Sequence, residues 1–84
     1  MRVLVVEDEQ ALREDICATL KAQGYVVDEA GDGDEGLYAG TEYALDAAII
    51  DLGLPQRSGI EIIETLRANG RDFPILILTA RDSW

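Results

Sequence analysis

The chain has 84 residues, 17 of them acidic and 7 basic, for a formal net charge of −10, and 48% of it is hydrophobic. That length holds one domain, and the apolar share is that of a globular chain rather than a disordered one. The acidity argues against gripping nucleic acid, whose phosphates need basic residues to displace counterions. Histidine is absent and Cys17 is the single cysteine. This removes Ser-His-Asp triads, Cys-His dyads, His-ligated metals and an internal disulfide from consideration. No apolar run approaches the ~20 residues that cross a bilayer, and no basic segment followed by an apolar one marks a secretory signal. A cytoplasmic location with no membrane partner is therefore expected.

The elements alternate. Val3–Val6 is a short valine-rich run, suited to a parallel strand buried on both faces. A helix follows over roughly Gln10–Gln23, with Leu12, Ile16 and Leu20 four residues apart and Gly24 where a left-handed C′ residue belongs. Tyr25–Ala30 is a second, more polar strand, expected at an edge. Asp32 is an N-cap candidate for a helix over roughly Asp34–Tyr43, which Gly36 and Gly40 should weaken. Ala47–Ile50 is a third strand ending at Asp51, and Leu52–Ser58 is a loop. Ser58 and Glu61 have capping-box spacing for a third helix through about Asn69, with Ile60, Ile63 and Leu66 as its apolar stripe and Gly70 at its end. Pro74 precedes Ile75–Leu78, a fourth strand apolar on both faces. Cys17 reads as a core residue, and Tyr25, Tyr38 and Tyr43 as packing residues.

Repeated βα units predict an α/β fold, a doubly wound parallel sheet with right-handed crossovers. In the order 2-1-3-4, strands one and three are neighbours. Ligands of such sheets bind beyond the carboxyl ends of the strands, where the order reverses. Glu7, Asp8 and Glu9 follow the first strand, Asp51 ends the third, and Thr79 and Ala80 follow the fourth. Glu7, Asp8 and Asp51 should therefore converge. Three carboxylates in one cleft repel, and at least one resists ionising unless a cation compensates. Mg²⁺ takes hard oxygen ligands. Two carboxylates, the carbonyl of Gly53 and waters would supply them. Asp51 could then attack a phosphoryl group to form an acyl phosphate. Thr79 can donate a hydroxyl hydrogen bond to the added oxygens, and the small Ala80 leaves room for entry. Each feature alone has a plainer reading. Acids at a helix start complement its dipole, an aspartate at a strand end is often a cap, and a lone threonine is often structural. Their conjunction at three strand ends is the signal.

These residues resemble the receiver domain of two-component response regulators. The resemblance rests on Val5-Val6-Glu7-Asp8, Asp51-Leu52-Gly53-Leu54-Pro55 with Gly59, and Leu78-Thr79-Ala80-Arg81. The last two motifs look like the OmpR/PhoB family, and the opening and closing residues look most like its PhoP-type members. It covers the whole chain and implies a flavodoxin-like fold. It implies Asp51 as phosphoacceptor, Mg²⁺ held by Asp8, Asp51 and the Gly53 carbonyl, and Glu7 completing the acidic pocket through water. Thr79 becomes the switch residue and Ala80 the point of phosphoryl access. A sensor histidine kinase becomes the donor, docking on the first helix near Leu12.

A family receiver continues through a fourth helix, a fifth strand and a fifth helix. By the resemblance, this chain is truncated before the fourth helix and fifth strand. It then lacks the family's phosphate-binding lysine, which Lys21 is too distant to replace. It also lacks a second switch aromatic, the dimer surface and any DNA-binding domain, so DNA would be reached only through a further domain of a longer parent. The fourth strand is then expected to be an exposed apolar edge that invites self-association.

Two competing chemistries fit less well. An aspartate-nucleophile phosphatase wants a second aspartate two residues after the nucleophile, where Gly53 stands. A flavin or nucleotide binder wants a Ser/Thr/Gly-rich loop where Glu7-Asp8-Glu9 stands. A folded fragment acting only as an interaction module is the remaining alternative.

Overall fold

The computed structural model describes residues 1–78; Thr79 and Ala80 lie outside the described residues. Seven elements alternate along the chain: β1 (Arg2–Val6), α1 (Gln10–Ala22), β2 (Val26–Ala30), α2 (Gly33–Glu42), β3 (Ala47–Asp51), α3 (Gly59–Ala68) and β4 (Ile75–Leu78). The strands form one sheet, order β2-β1-β3-β4, every pairing parallel. The expected 2-1-3-4 order and the edge position of β2 are borne out.

The two faces of the sheet separate by the strand period of two. Leu4, Val6, Ala48 and Ile50 join Ala39, Ile62, Leu66 and Phe73 in one buried cluster, so α2 and α3 cover that face. Val3, Ala47 and Ile49 line a groove on the other face with Leu20 of α1. β1 lies between the two layers, and Leu4, Val5 and Val6 are fully buried. Among the described residues no helix is long and apolar enough to cross a membrane. At the β4 edge, Leu76 is 64% exposed and Ile77 48%. An open apolar edge was the expectation.

Local chemistry explains the helix ends. The Asp32 side chain accepts from Glu35 N–H at 2.8 Å, while the Glu35 carboxylate accepts from Gly31 N–H at 2.8 Å. Two free donors at the start of α2 are satisfied reciprocally. Ser58 accepts from Glu61 N–H at 3.1 Å. The Glu61 carboxylate, expected to complete that box, instead accepts from Arg57 Nη1 at 2.8 Å. Gly24 takes φ +93° and Gly70 φ +81°, left-handed values that end α1 and α3.

Three sequence expectations about packing are corrected. On α3 the buried stripe is Gly59, Ile62 and Leu66, with Ile63 half-buried and Ile60 47% exposed. The cause is Gly59. A Cβ there would stand 2.4 Å from the Asp51 carbonyl oxygen, so α3 presses its Gly59 side onto β3, and the residues three and seven positions on follow it inward. The glycines of α2 mark close contacts rather than weakness. A Cβ at Gly36 would come within 2.7 Å of Val6, and one at Gly40 within 2.9 Å of Leu66. Their absence lets α2 settle against β1 and α3. Tyr25 and Tyr38, expected to pack, are 37% and 62% exposed. Tyr38 makes an edge-on contact with Tyr43, centroids 6.1 Å apart, and Tyr43 in turn lies under the Arg2 guanidinium, 4.6 Å from it.

Candidate functional site

The site forms because β1 and β3 are neighbours in register. Val6 pairs with Ile50, so Glu7 emerges beside Asp51 at the carboxyl ends. One carboxylate oxygen from each of Glu7, Asp8 and Asp51 lies within 4.8 Å of the others. The convergence expected from the sequence is present. Glu7 is 1% exposed and Asp51 3%, while Asp8 faces solvent. Asp51 also pairs in register with Leu78 of β4, after which Thr79 follows in the chain.

Glu9 N–H donates to Glu7 Oε2 at 2.9 Å. The other oxygen, Oε1, is buried and has no partner among the described residues. Asp51 Oδ1 accepts from Gly53 N–H at 3.2 Å, which ties the carboxylate back to its own loop. The Gly53 residue itself is exposed.

Like charges at this spacing are costly. At an effective dielectric of 20, two full charges under 5 Å apart repel by on the order of 3 kcal/mol. Burial pushes the Glu7 carboxyl above the usual glutamate range. The facing charges of Asp51 and Asp8 push the same way, and only the Glu9 N–H pulls against them. A hard divalent cation would answer both features, the excess negative charge and the orphaned Oε1. The donor set is all oxygen, which suits Mg²⁺ rather than a soft metal.

The sign of the pH dependence follows. A carboxyl with a raised folded pKa binds its proton more tightly in the folded state. In chelator, its contribution to stability is full below the unfolded glutamate value of ~4.3 and is lost as pH rises through the raised value. Glu7→Gln is expected to remove that loss, so its urea midpoint gains on the wild type as pH climbs. Parallel midpoint-against-pH curves for the two proteins would contradict it.

Arg13 was not anticipated from the sequence. Its Nη1 donates to the Glu7 carbonyl at 2.9 Å and its Nε to Glu29 Oε1 at 3.3 Å. The one sequence signal was a lone cation one helical turn past three consecutive acids. On the far side of the site, Arg57 bonds Asp34 at 3.2 Å and Glu61, joining α2 to α3 across the β3–α3 loop. In that loop Arg57 N–H reaches back to the Pro55 carbonyl at 2.7 Å around Gln56, which takes φ +70°. A three-residue turn of this hand is uncommon outside glycine.

Residues 3–84 match the family model of the response regulator receiver domain. The chain belongs to that family. The receiver domain is 54% identical over 84 residues to the two-component response regulator PhoP of Pseudomonas aeruginosa, covering 100% of this chain and 37% of that protein. The chain thus spans well under half the length of such relatives. The expected likeness to PhoP-type members of the OmpR/PhoB family is borne out. Among solved structures it superimposes on the response regulator TrrA of Thermotoga maritima, crystallised with Mg²⁺-BeF. The TM-score is 0.90 and the identity 36%, over 96% of this chain and 70% of that one. A Francisella response regulator receiver domain gives a TM-score of 0.91 at 30% identity, over 98% and 68% of the two chains. The acidic pocket of Glu7, Asp8 and Asp51 fits the phosphoacceptor site of a receiver.

Proposed function

We propose that this receiver domain accepts a phosphoryl group on Asp51, with Mg²⁺ held by Asp8, Asp51 and the Gly53 carbonyl and with Glu7 completing the pocket through water. The observations that carry the reading are the meeting of three carboxylates and, on one of them, a buried glutamate oxygen with no partner among the described residues. The likeness to TrrA, crystallised with Mg²⁺-BeF, supports it. Mg²⁺, when bound, would offset the charge of the acids and of the incoming phosphoryl oxygens. A carboxylate oxygen of Asp51 forms the new bond to phosphorus. The donor's own bond to phosphorus breaks and takes its electron pair with it, which leaves an acyl phosphate. The Gly53 N–H on Oδ1 limits the rotation of the carboxylate, so attack proceeds from a fixed direction. Thr79 as the switch residue and Ala80 as the opening for the phosphoryl group belong to the same proposal.

The natural donor in this reading is a phosphohistidine on a sensor histidine kinase, docking on α1 around Leu12. The outcome is a signal rather than a product. Phosphorylation at Asp51 biases the self-association and promoter binding of a longer cytoplasmic regulator, and Gly53 stands where a phosphatase would want its acid–base aspartate. Separately from that regulated contact, the 84-residue chain by itself is expected to self-associate through its exposed β4 edge, Leu76 and Ile77. A light-scattering mass of one chain at micromolar concentration would contradict that part.

The test uses a protein carrying this sequence, Mg²⁺ and a small acyl-phosphate donor. The expected result is one added phosphoryl group, mapped to Asp51 by mass spectrometry and abolished by a chelator. A phosphoryl group on a different residue overturns the assignment. No uptake at all favours the alternative of a folded interaction module.

A further inference from the structure

Asp8 sits in a bend between the end of β1 and the first turn of α1, and its side chain is exposed rather than packed into the core. Its backbone is fixed instead. Glu7 N–H donates to the Ala30 carbonyl at 3.0 Å. Glu9 N–H donates to Glu7 Oε2 at 2.9 Å. The Glu7 carbonyl accepts from Arg13 Nη1 at 2.9 Å. That carbonyl and the Asp8 Cα share one peptide plane, so a bond that fixes the carbonyl fixes the direction in which Asp8 leaves the strand.

Arg13 is itself held. Its side chain is only 18% exposed and pairs with Glu29 at 3.3 Å. Its own N–H bonds the Glu9 carbonyl at 2.9 Å. The guanidinium passes over Gly31, where a Cβ would stand 3.2 Å from Nη1. One planar fork therefore ties the end of β1 to Glu29 of β2 from a helix stem.

We propose that Arg13 is a positioning residue of the acidic site, clamping the Glu7–Asp8 peptide so that the Asp8 carboxylate stays gathered with Glu7 and Asp51. The proposal rests on the reading of that cluster as a Mg²⁺ site. Charge alone argues the other way. A cation beside the acids repels Mg²⁺, so if Arg13 acted only through its charge, its removal would tighten metal binding. If it acts by holding the peptide, its removal weakens binding. The sign of the change separates the two.

The experiment is a calorimetric titration of the chain with MgCl₂ alone, on wild type, Arg13→Met, Arg13→Lys and Arg2→Met. Arg2 is the control, because it joins β2 to the opposite end of β1, through Asp28 at 2.7 Å. Arg13→Met is expected to weaken Mg²⁺ binding ~10-fold, the low end for a residue that orients a metal ligand. Arg13→Lys keeps the charge but not the fork and is expected to recover part of the loss. Arg2→Met is expected to lower the melting temperature in chelator without moving the Mg²⁺ affinity. Binding by Arg13→Met as tight as wild type, or tighter, overturns the proposal. Should Arg13→Met fail to fold, Arg13→Lys decides, since unchanged affinity there overturns the proposal equally. A wild-type chain that takes no Mg²⁺ overturns the metal reading and this inference with it. Wild-type binding that Arg13→Met leaves intact overturns this inference alone.

Discussion

Asp51→Asn is expected to abolish phosphoryl uptake while raising the stability of the metal-free domain. The amide is nearly the same size and can still accept from Gly53 N–H, so the loop that follows β3 keeps its hydrogen bond. It has no anionic oxygen to attack phosphorus, and the label should fall to background rather than to a fraction. The same substitution removes a charge that faces the buried Glu7. Repulsion within the cluster then drops, and the urea midpoint in chelator rises. Function and stability move in opposite directions, as they do where a site is held in a strained electrostatic state for its chemistry. A variant that still takes up label, or one that loses stability in chelator, would contradict this account of Asp51.

Gly59→Ala is expected to be among the most destabilising single-methyl additions in the molecule. An added Cβ meets the Asp51 carbonyl oxygen at 2.4 Å and Leu52 Cα at 2.9 Å. Both are backbone, and neither can swing aside as the end of a flexible side chain does. Relief requires α3 to lift from β3, which would uncover Ile62 and Leu66. A cost of about 3 kcal/mol is expected, the upper part of the usual range for overpacking. In a domain this small that corresponds to roughly 15 °C in melting temperature. Gly70→Ala gives the comparison. There φ is +81° and nothing among the described residues lies within 4 Å of an added Cβ, so the penalty is conformational alone, about 1 kcal/mol. Equal melting temperatures for the two variants would show that the close approach of α3 to β3 is not what Gly59 serves.

The fold was readable because its signals are local and strong. Valine-rich runs, caps at Asp32 and Ser58 and helix-ending glycines at 24 and 70 set the element order. The parallel, doubly wound sheet then followed from the general rules of α/β topology, and its order 2-1-3-4 from the flavodoxin-like fold that the receiver resemblance implies. The three carboxylates were readable for the same reason, since each sits at a strand end that topology alone brings together. What escaped was tertiary. Periodicity on α3 offered Ile60, Ile63 and Leu66 as a stripe. The inward face was decided instead by where Gly59 touches β3, a contact 8 residues back in the chain at Asp51. Gly36 and Gly40 looked like poor helix formers because propensity describes an isolated helix, whereas here they admit Val6 and Leu66. Arg13 escaped because a helical arginine carries no mark that its guanidinium will reach a backbone carbonyl six residues earlier.

The site also shows why the acids are arranged as they are. Glu7 is buried and half-satisfied, Asp51 is buried and tethered by its own loop, and Asp8 stands open to solvent. In the proposed reading, the open carboxylate of Asp8 would give a cation a route to the two enclosed ones. Three carboxylates this close repel one another, and in the proposed reading a bound cation would relieve that cost and so stabilise the fold.

A Mg²⁺ titration followed by thermal denaturation tests the central claim most directly. Wild type is expected to gain stability as Mg²⁺ is added, by about 2.7 kcal/mol at a concentration one hundred times the dissociation constant. Asp8→Asn and Asp51→Asn should each lose most of that gain, because in the proposed reading the two residues, one just past β1 and one at the end of β3, would hold the same ion. A melting temperature in Asp51→Asn that climbs with Mg²⁺ just as wild type does would contradict the account.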